Sequence, residues 1–302
     1  IGSKLPEASF AQVAIGGGTP TFLTCQQLER LMTMMDYLHQ GDQRAIEVSP
    51  GTITLEKIRL LLDHNVHRFS MGIQSFFDCE AKSVGRPQKT AMVMQALEIL
   101  SSANVPQLNL DLIYGIKGQT PDSWLKSLEA ALKWQPDELY LYPLYVRPLT
   151  GLGMRDRDWD DQRFMLYQIG RNFLLSHGYE QVSMRHFTTC KPAERLTDEY
   201  QCQTDGTIGL GVGARSYTTS IHTCSEYAVS RKSVRSIIDA FMQQDVESLG
   251  IAKYGFKLSV EEQKRRYLIK SILHQSGINP MTFENQFKSR YMIININPIS
   301  NI

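Results

Sequence analysis

The sequence predicts an α/β protein in which parallel strands alternate with helices. Two observations lead to this class: strand-like apolar segments followed by helical patterns recur six times, and the connections between them are short. Parallel strands joined by right-handed crossovers form either a doubly wound sheet or a barrel, whole or partial. After residue 190 the alternation stops.

The composition is that of an ordinary globular protein. The 302 residues are 42% hydrophobic and 21% charged, and the net charge is +1. Neither nucleic acid nor a membrane surface is therefore predicted as a partner. No apolar run approaches the roughly 18 residues that span a bilayer, and the N-terminus lacks a signal-peptide pattern. We expect a cytoplasmic protein.

The first elements have clear boundary signals. Thr24 and Gln27 form a capping box before a helix with one apolar face, and Pro50 follows the second strand. We predict strands at 12–15, 45–48 and 69–73, and helices at 24–39, 54–64 and 89–103.

The next strand, at 108–113, alternates between apolar and polar residues. Asn109 and Asp111 share one face, and three leucines share the other. Because an unpaired buried carboxylate is costly, the polar face is predicted to line a polar pocket. Helices at 121–134 and 160–177 and strands at 139–145 and 179–184 follow.

A smaller unit is predicted after this core. Four glycines between 206 and 213 precede two helical patterns, at 233–243 and 259–274. The predicted domains are a strand-and-helix core at 1–190 and a glycine-rich segment with a helical C-terminal region at 191–302.

The loop Gly16-Gly17-Gly18-Thr19 lies between the first strand and the first long helix. Glycines at such a turn let backbone N–H and C=O groups approach a ligand with no Cβ in the way. By itself this loop is equally compatible with an ordinary turn that binds nothing.

The five cysteines are widely spaced, and no two lie within four residues of each other. The sequence therefore contains no CxxC or CxxxCxxC motif, and we predict free thiols and no metal site.

Five motifs follow one another along the chain: GGGTPT, EVSPG, RFSMGIQSF, VGRPQ and NLDLIYGIKGQT. Together they resemble the oxygen-independent coproporphyrinogen III oxidase-like radical SAM proteins, from about residue 10 to the GLGVGA segment near 213. The resemblance implies a partial (β/α)6 radical SAM barrel with its first strand missing and a small helical C-terminal region. It also implies S-adenosylmethionine beside a [4Fe–4S] cluster, whose electron cleaves it to a 5′-deoxyadenosyl radical.

The resemblance also implies site residues. Backbone groups of the glycine loop would meet the amino-acid end of S-adenosylmethionine, and Glu47 would contact its ammonium or hydroxyl groups. Gln74 and Arg86 are polar clamps, and Asp111 accepts hydrogen bonds from ribose hydroxyls or a second ligand. Glu47, Arg86 and Asp111 each keep a structural alternative, and no catalytic residue is assigned. The implied cofactor-binding residues are Gly17, Gly18, Thr19, Glu47, Gln74, Arg86 and Asp111.

The chain departs from the family pattern at one place. Radical SAM enzymes hold their cluster on a CxxxCxxC loop after the first barrel strand, and neither precedes Gly16 here. We predict that this chain cannot form the cluster, and we favour an N-terminally truncated gene product over a protein that evolved without one.

Three functions remain open at this point. The first is a radical SAM oxidoreductase, complete only at full length, that takes a tetrapyrrole-like substrate and needs an electron donor. Tyr140, Tyr142, Tyr145 and Arg147 either line a site for such a flat acidic molecule or pack within the strand. The second is a non-catalytic haem-binding or chaperone-like relative, with His186 or Cys190 at the iron. The third is an ordinary phosphate- or nucleotide-binding protein.

Overall fold

The structure is a computed structural model in which two compact units can be distinguished. The larger unit contains the main sheet, and the smaller contains a second sheet and two helices. The description covers residues 10–38, 43–86, 88–145, 161–189, 206–224, 231–251 and 254–288. None of the described helices has both the length and the apolar character that crossing a bilayer requires.

The main sheet has seven described strands, in the order β1-β2-β3-β4-β5-β7-β6. Strands β1 to β5 are parallel, whereas β7 runs antiparallel to both β5 and β6. No pairing between described residues joins β1 to β6, so the sheet is open, as a partial barrel requires. The strands are β1 Val13–Ile15, β2 Arg44–Val48, β3 Val66–Gln74, β4 Gln107–Tyr114, β5 Glu138–Pro143, β6 Glu180–Gln181 and β7 His186–Thr188.

Helices connect the parallel strands. The predicted capping box begins the first of them: the Gln27 N–H donates to Thr24 Oγ1 at 3.2 Å, and the Thr24 N–H donates to Gln27 Oε1 at 3.0 Å. Thr54 accepts a hydrogen bond from the Lys57 N–H at the start of α2, and Thr120 and Ser123 form a capping box at α5. A single 3-10 turn, Pro20–Phe22, follows the glycine loop. The helices are α1 Cys25–Leu38, α2 Leu55–Asp63, α3 Asp78–Ser83, α4 Thr90–Ser102, α5 Pro121–Leu132 and α6 Arg163–Ser176.

The apolar core lies between one face of the main sheet and these helices. Trp124 of α5 is fully buried there, and its indole N–H donates to the Leu166 carbonyl at 2.9 Å. Gly170 makes room for this ring, because a Cβ at that position would lie 2.7 Å from the indole nitrogen. The alternation of strands and helices thus confirms the predicted α/β class.

The last strand of the core is shorter than predicted. Only Glu180–Gln181 of the expected strand at 179–184 is extended in the sheet, and His186–Thr188 lies between it and β5. The reason is that the next residues pair elsewhere. The Met184 N–H donates to the Leu273 carbonyl at 2.8 Å, and Ser183 forms an isolated bridge with His274.

The smaller unit contains strands that the sequence did not reveal. An antiparallel sheet of three described strands, in the order β10-β9-β8, accompanies the two helices. The predicted boundary at residue 190 lies outside the described residues. The elements after it are β8 Arg215–Tyr217, β9 Ile221–Cys224, α7 Arg231–Met242, α8 Val246–Leu249, β10 Gly255–Lys257, α9 Val260–Ile272 and α10 Pro280–Phe287, of which α7 and α8 belong to the larger unit.

Candidate functional site

The main sheet carries polar side chains on the face opposite its apolar core. Register places them in a row, because Glu47 pairs with Ser70, Ser70 with Asn109, and Asn109 with Glu138. A neighbouring row contains Gly72, Asp111 and Tyr140. The polar face predicted from β4 alone therefore extends over four strands.

Asp111 lies at the centre of this face and is held by its strand neighbour. The Asn109 amide donates to the Asp111 carboxylate at 2.8 Å and to the Ser70 hydroxyl at 2.6 Å. Burial raises the pKa of Asp111 to about 6, against the Asn109 hydrogen bond and the charge of Arg68; Glu47 and Glu138 add to the rise. A raised carboxylate pKa marks a position where a hydrogen-bond donor or a cation from a ligand would be stabilised.

Asn109, the neighbour of Asp111 on this face, is not fully hydrogen-bonded in the described part of the chain. It is 1% exposed, and its carbonyl oxygen has no hydrogen-bond donor among the described residues. A buried acceptor without a donor is destabilising. The polar face as described thus has more acceptor capacity than donors.

The glycine loop meets this face at Glu47. A Cβ at Gly16 would lie 2.8 Å from the carboxylate carbon of Glu47, so only glycine allows the side chain to lie where it does. Gly17 has a φ of +103°, and neither its ideal Cβ nor that of Gly18 has an atom within 4 Å. The backbone of these two glycines therefore borders open space beside a carboxylate. Thr19 precedes the 3-10 turn as its N-cap.

Gln74 ends β3 in an unusual conformation. Its φ is +71°, and the Ser75 N–H donates to the Ile73 carbonyl at 2.9 Å. A hydrogen bond between residues two apart around a positive φ defines the rare, strained form of the γ-turn. The side-chain nitrogen of Gln74 lies 2.7 Å from the ideal Cβ position of Gly72. Gly72 itself pairs with Asp111 in the sheet.

Arg86 is the predicted site residue whose contacts are least defined. It follows Gly85, whose φ is +77°, and its side chain is exposed. No ion pair or side-chain hydrogen bond to Arg86 is seen among the described residues. The structure therefore brings Glu47, Gln74 and Asp111 to adjacent strand ends, with Gly16 against Glu47, and leaves Arg86 pointing to solvent.

Arg68 and Glu138, two residues that sequence reasoning missed, form a polar cluster with His186 on the same face. Glu138 accepts a hydrogen bond from Arg68 Nε at 2.6 Å, and its other oxygen lies 3.1 Å from His186 Nε2. Although burial acts in the opposite direction, His186 and Arg68 hold the pKa of Glu138 below its ordinary value. The period-two alternation of β3 places Arg68 on the face of Ser70, which was the available signal.

Aromatic rings of β5 lie next to this cluster. The rings of His186 and Tyr140 stack at 4.5 Å, and Tyr142 follows Tyr140 at 6.0 Å. The guanidinium of Arg185 lies 5.5 Å from the Tyr142 ring centre. Tyr145 is 73% exposed, and Arg147 and Cys190 lie outside the described residues.

The described residues fit the two implied cofactors differently. The glycine-lined space beside Glu47 and the acceptor-rich face around Asp111 suit a ligand with an ammonium group and hydroxyls, as in S-adenosylmethionine. For a cluster, three cysteine thiolates are needed. Cys25, Cys79 and Cys224 are free, and no group of three potential metal ligands occurs in the described part of the chain.

Comparison with known proteins gives a family match for the first part of the chain. A family model described as the radical SAM superfamily matches residues 4–131, a range that contains the glycine loop, Glu47, Gln74 and Asp111. This part of the chain is therefore similar to the radical SAM superfamily.

Its homologues are of two kinds. The haem chaperone HemW of Lactococcus lactis is 26% identical over 288 residues, which cover 92% of this chain and 73% of that protein. The oxygen-independent coproporphyrinogen III oxidase of Pseudomonas aeruginosa is 30% identical over 245 residues, 77% of this chain and 51% of that protein.

A solved structure confirms the fold. Coproporphyrinogen III oxidase (HemN) from Escherichia coli, described as a radical SAM enzyme, matches with a TM-score of 0.75 and 26% identity. The match covers 93% of this chain and 67% of that one. This chain therefore spans about half to two thirds of the length of these oxidases.

Proposed function

We propose that this chain binds S-adenosylmethionine at the carboxyl ends of β1 to β4 and is part of a protein that acts on a tetrapyrrole. The observation that carries the first half is the carboxylate of Glu47 lying over Gly16, next to the open backbone of Gly17 and Gly18. The second half rests on the homologous oxidases.

Each residue has a chemical task in this proposal. Backbone groups of Gly17, Gly18 and Thr19 bind the amino-acid end of the cofactor, and Glu47 accepts from its ammonium group. Asp111 accepts from hydroxyl groups. Gln74 offers both a donor and an acceptor.

Beside a reduced [4Fe–4S] cluster, S-adenosylmethionine would supply radical chemistry; in this chain Gly17, Gly18, Glu47 and Asp111 are the residues that would hold it. The described residues provide no ligand set for that cluster. We therefore assign to this chain the binding of the cofactor and derive no radical step from its residues.

Equilibrium dialysis with labelled S-adenosylmethionine tests the proposal. We expect Glu47→Gln and Asp111→Asn each to weaken binding by about ten- to a hundredfold, because each removes a charged hydrogen bond worth about 1.5–3 kcal/mol. Glu98→Gln is the matched control, since Glu98 is exposed on α4. Equal binding by all four proteins would instead favour an ordinary phosphate- or nucleotide-binding protein.

A second candidate function is haem binding without catalysis. The HemW relatives are named as haem chaperones, and His186 lies on the polar face stacked on Tyr140. Imidazole is a common iron ligand. Titration with haem tests it: a shift of the haem absorption band that His186→Ala abolishes and His177→Ala retains supports this function, and no shift with the unaltered chain removes it.

A further inference from the structure

Gln74 adopts a backbone conformation that needs outside support. A non-glycine residue in a sparsely populated φ/ψ region costs on the order of 1–3 kcal/mol and persists only where its surroundings hold it there. The γ-turn hydrogen bond from Ser75 to Ile73 is part of that support. The Ile73 carbonyl also accepts from the side-chain amide of Gln88.

Ser75 connects the strained turn to a buried carboxylate. Its hydroxyl donates to Glu80 Oε2 at 2.6 Å and accepts from the Phe77 N–H at 3.0 Å. Ser75 is 3% exposed and Glu80 is 4% exposed. The residue directly after Gln74 is therefore fixed by a short hydrogen bond inside the protein.

Glu80 is bound on its other side by the segment that follows β4. Ser123 Oγ donates to Glu80 Oε1 at 2.6 Å, and the Gln119 amide donates to Oε2 at 3.2 Å. Gln119 in turn accepts from the N–H groups of Gly115 at 2.8 Å and Ile116 at 3.3 Å. One carboxylate thus joins the turn after β3 to the loop after β4, and these two strands carry Gln74 and Asp111.

A buried carboxylate at residue 80 carries a cost in free energy. All hydrogen-bond donors to Glu80 seen in the described part of the chain are neutral groups, two hydroxyls and one amide. Burying a carboxylate without a cation is costly. What the carboxylate adds is two short, directional hydrogen bonds that orient both segments.

We propose that Glu80 is a positioning residue: through Ser75 it holds the γ-turn at Gln74 in the orientation that binds the ligand, while Ser123 and Gln119 anchor its carboxylate to the segment after β4. This inference rests on the proposed function, in which Gln74 contacts S-adenosylmethionine. It assigns to α3 a task in cofactor binding although Glu80 itself does not touch the cofactor.

A double-mutant cycle on ligand affinity tests the proposal with the full chain. The dissociation constant of labelled S-adenosylmethionine is measured for the unaltered chain, Glu80→Gln, Gln74→Ala and the double variant. We expect each single variant to bind about tenfold more weakly and the double variant to bind no more weakly than Gln74→Ala, because Glu80 acts through Gln74. Effects that multiply in the double variant overturn the proposal.

A stability control separates positioning from folding. Val93→Ala removes buried methyl groups from α4, outside the network, and is expected to lower the melting temperature without changing the dissociation constant. Ser123→Ala keeps Glu80 but removes its 2.6 Å hydrogen bond, together with the contact of the Ser123 hydroxyl in the α5 capping box. It replaces Glu80→Gln in the cycle if that variant does not fold. If the unaltered chain fails to bind S-adenosylmethionine, the proposed function falls; if it binds and Glu80→Gln binds equally well, only the positioning proposal falls.

Discussion

The carboxylate of Glu47 occupies the space that a side chain at Gly16 would need: the carboxylate carbon lies 2.8 Å from the ideal Cβ position. Gly16 directly follows β1 and Glu47 lies in the adjacent parallel strand β2, since Ile15 pairs with Ile46 in the sheet. The requirement for glycine at residue 16 thus comes from packing against β2, whereas Gly17 and Gly18 border open space.

Gly16→Ala is expected to displace the Glu47 carboxylate while leaving the fold intact. The clash involves the far end of a flexible side chain, so the free energy of unfolding is expected to fall by about 1 kcal/mol or less, the cost of a strained rotamer. S-adenosylmethionine binding is expected to weaken by about as much as in Glu47→Gln. Urea unfolding and dialysis measure the two effects, and binding unchanged in Gly16→Ala contradicts the assigned role of Glu47.

The raised pKa of Asp111 predicts how the stability of the protein depends on pH. Its folded pKa of about 6 exceeds the ordinary value of 3.8, so the folded state binds more protons than the unfolded state between these values. Stability contributed by Asp111 is therefore full at low pH and is lost as pH rises from about 4 to 6. A pKa raised by about 2 corresponds to about 3 kcal/mol in the free energy of unfolding.

Comparison of the unaltered chain with Asp111→Asn isolates this effect. As the pH rises from 4 to 7, we expect the free energy of unfolding of the variant to increase by about 3 kcal/mol relative to that of the unaltered chain. Urea unfolding measures both free energies. Asp122→Asn, at an exposed position on α5, serves as control. A stability difference that stays constant over this pH range would falsify the assignment.

The Arg68–Glu138 pair is expected to contribute to stability more than an exposed ion pair does. Glu138→Ala leaves Arg68 without its partner on a largely buried face, and we expect a loss of about 2–3 kcal/mol in the free energy of unfolding. Lys126→Ala breaks the exposed pair with Asp122, whose side chains are 58% and 74% exposed, and is expected to change stability little. Equal losses in the two variants contradict the importance of burial here.

Iron–sulfur reconstitution tests the consequence of the missing cysteine motif. Anaerobic treatment of the 302-residue chain with iron and sulfide is expected to yield no stoichiometric cluster, as measured by iron and sulfide content after desalting. Cys25→Ser and Cys79→Ser are the controls for adventitious iron at free thiols. A stable [4Fe–4S] cluster on this chain contradicts the prediction.

Much of the site could be predicted because its signals are local. Period-two alternation put Asn109 and Asp111 on one face of β4, and the motif order linked that face to the glycine loop. The predicted helix beginning at Thr24 likewise depends on a residue three positions further on, Gln27. Such patterns are readable because strand and helix geometry repeat within a few residues.

Other features could not be predicted because they depend on contacts distant in sequence. Arg68 and Glu138 are 70 positions apart, and only the register of β3, β4 and β5 makes them partners. The extended segment at 179–184 was shortened by pairing of Ser183 and Met184 with residues near 273. The strands of the smaller unit are three or four residues long, too short to give a clear period.

The sequence by itself determined the α/β class and the order of the elements, because periodicity is a local property. Through its motifs it also indicated, by resemblance, which residues are candidates for binding the cofactor. The tertiary structure decided what holds those residues in place: Glu47 over Gly16, the strained turn at Gln74 and the buried carboxylate of Glu80 behind it. The physical reason is that hydrogen bonds and close packing depend on register and on side-chain direction, which are established only when distant strands meet.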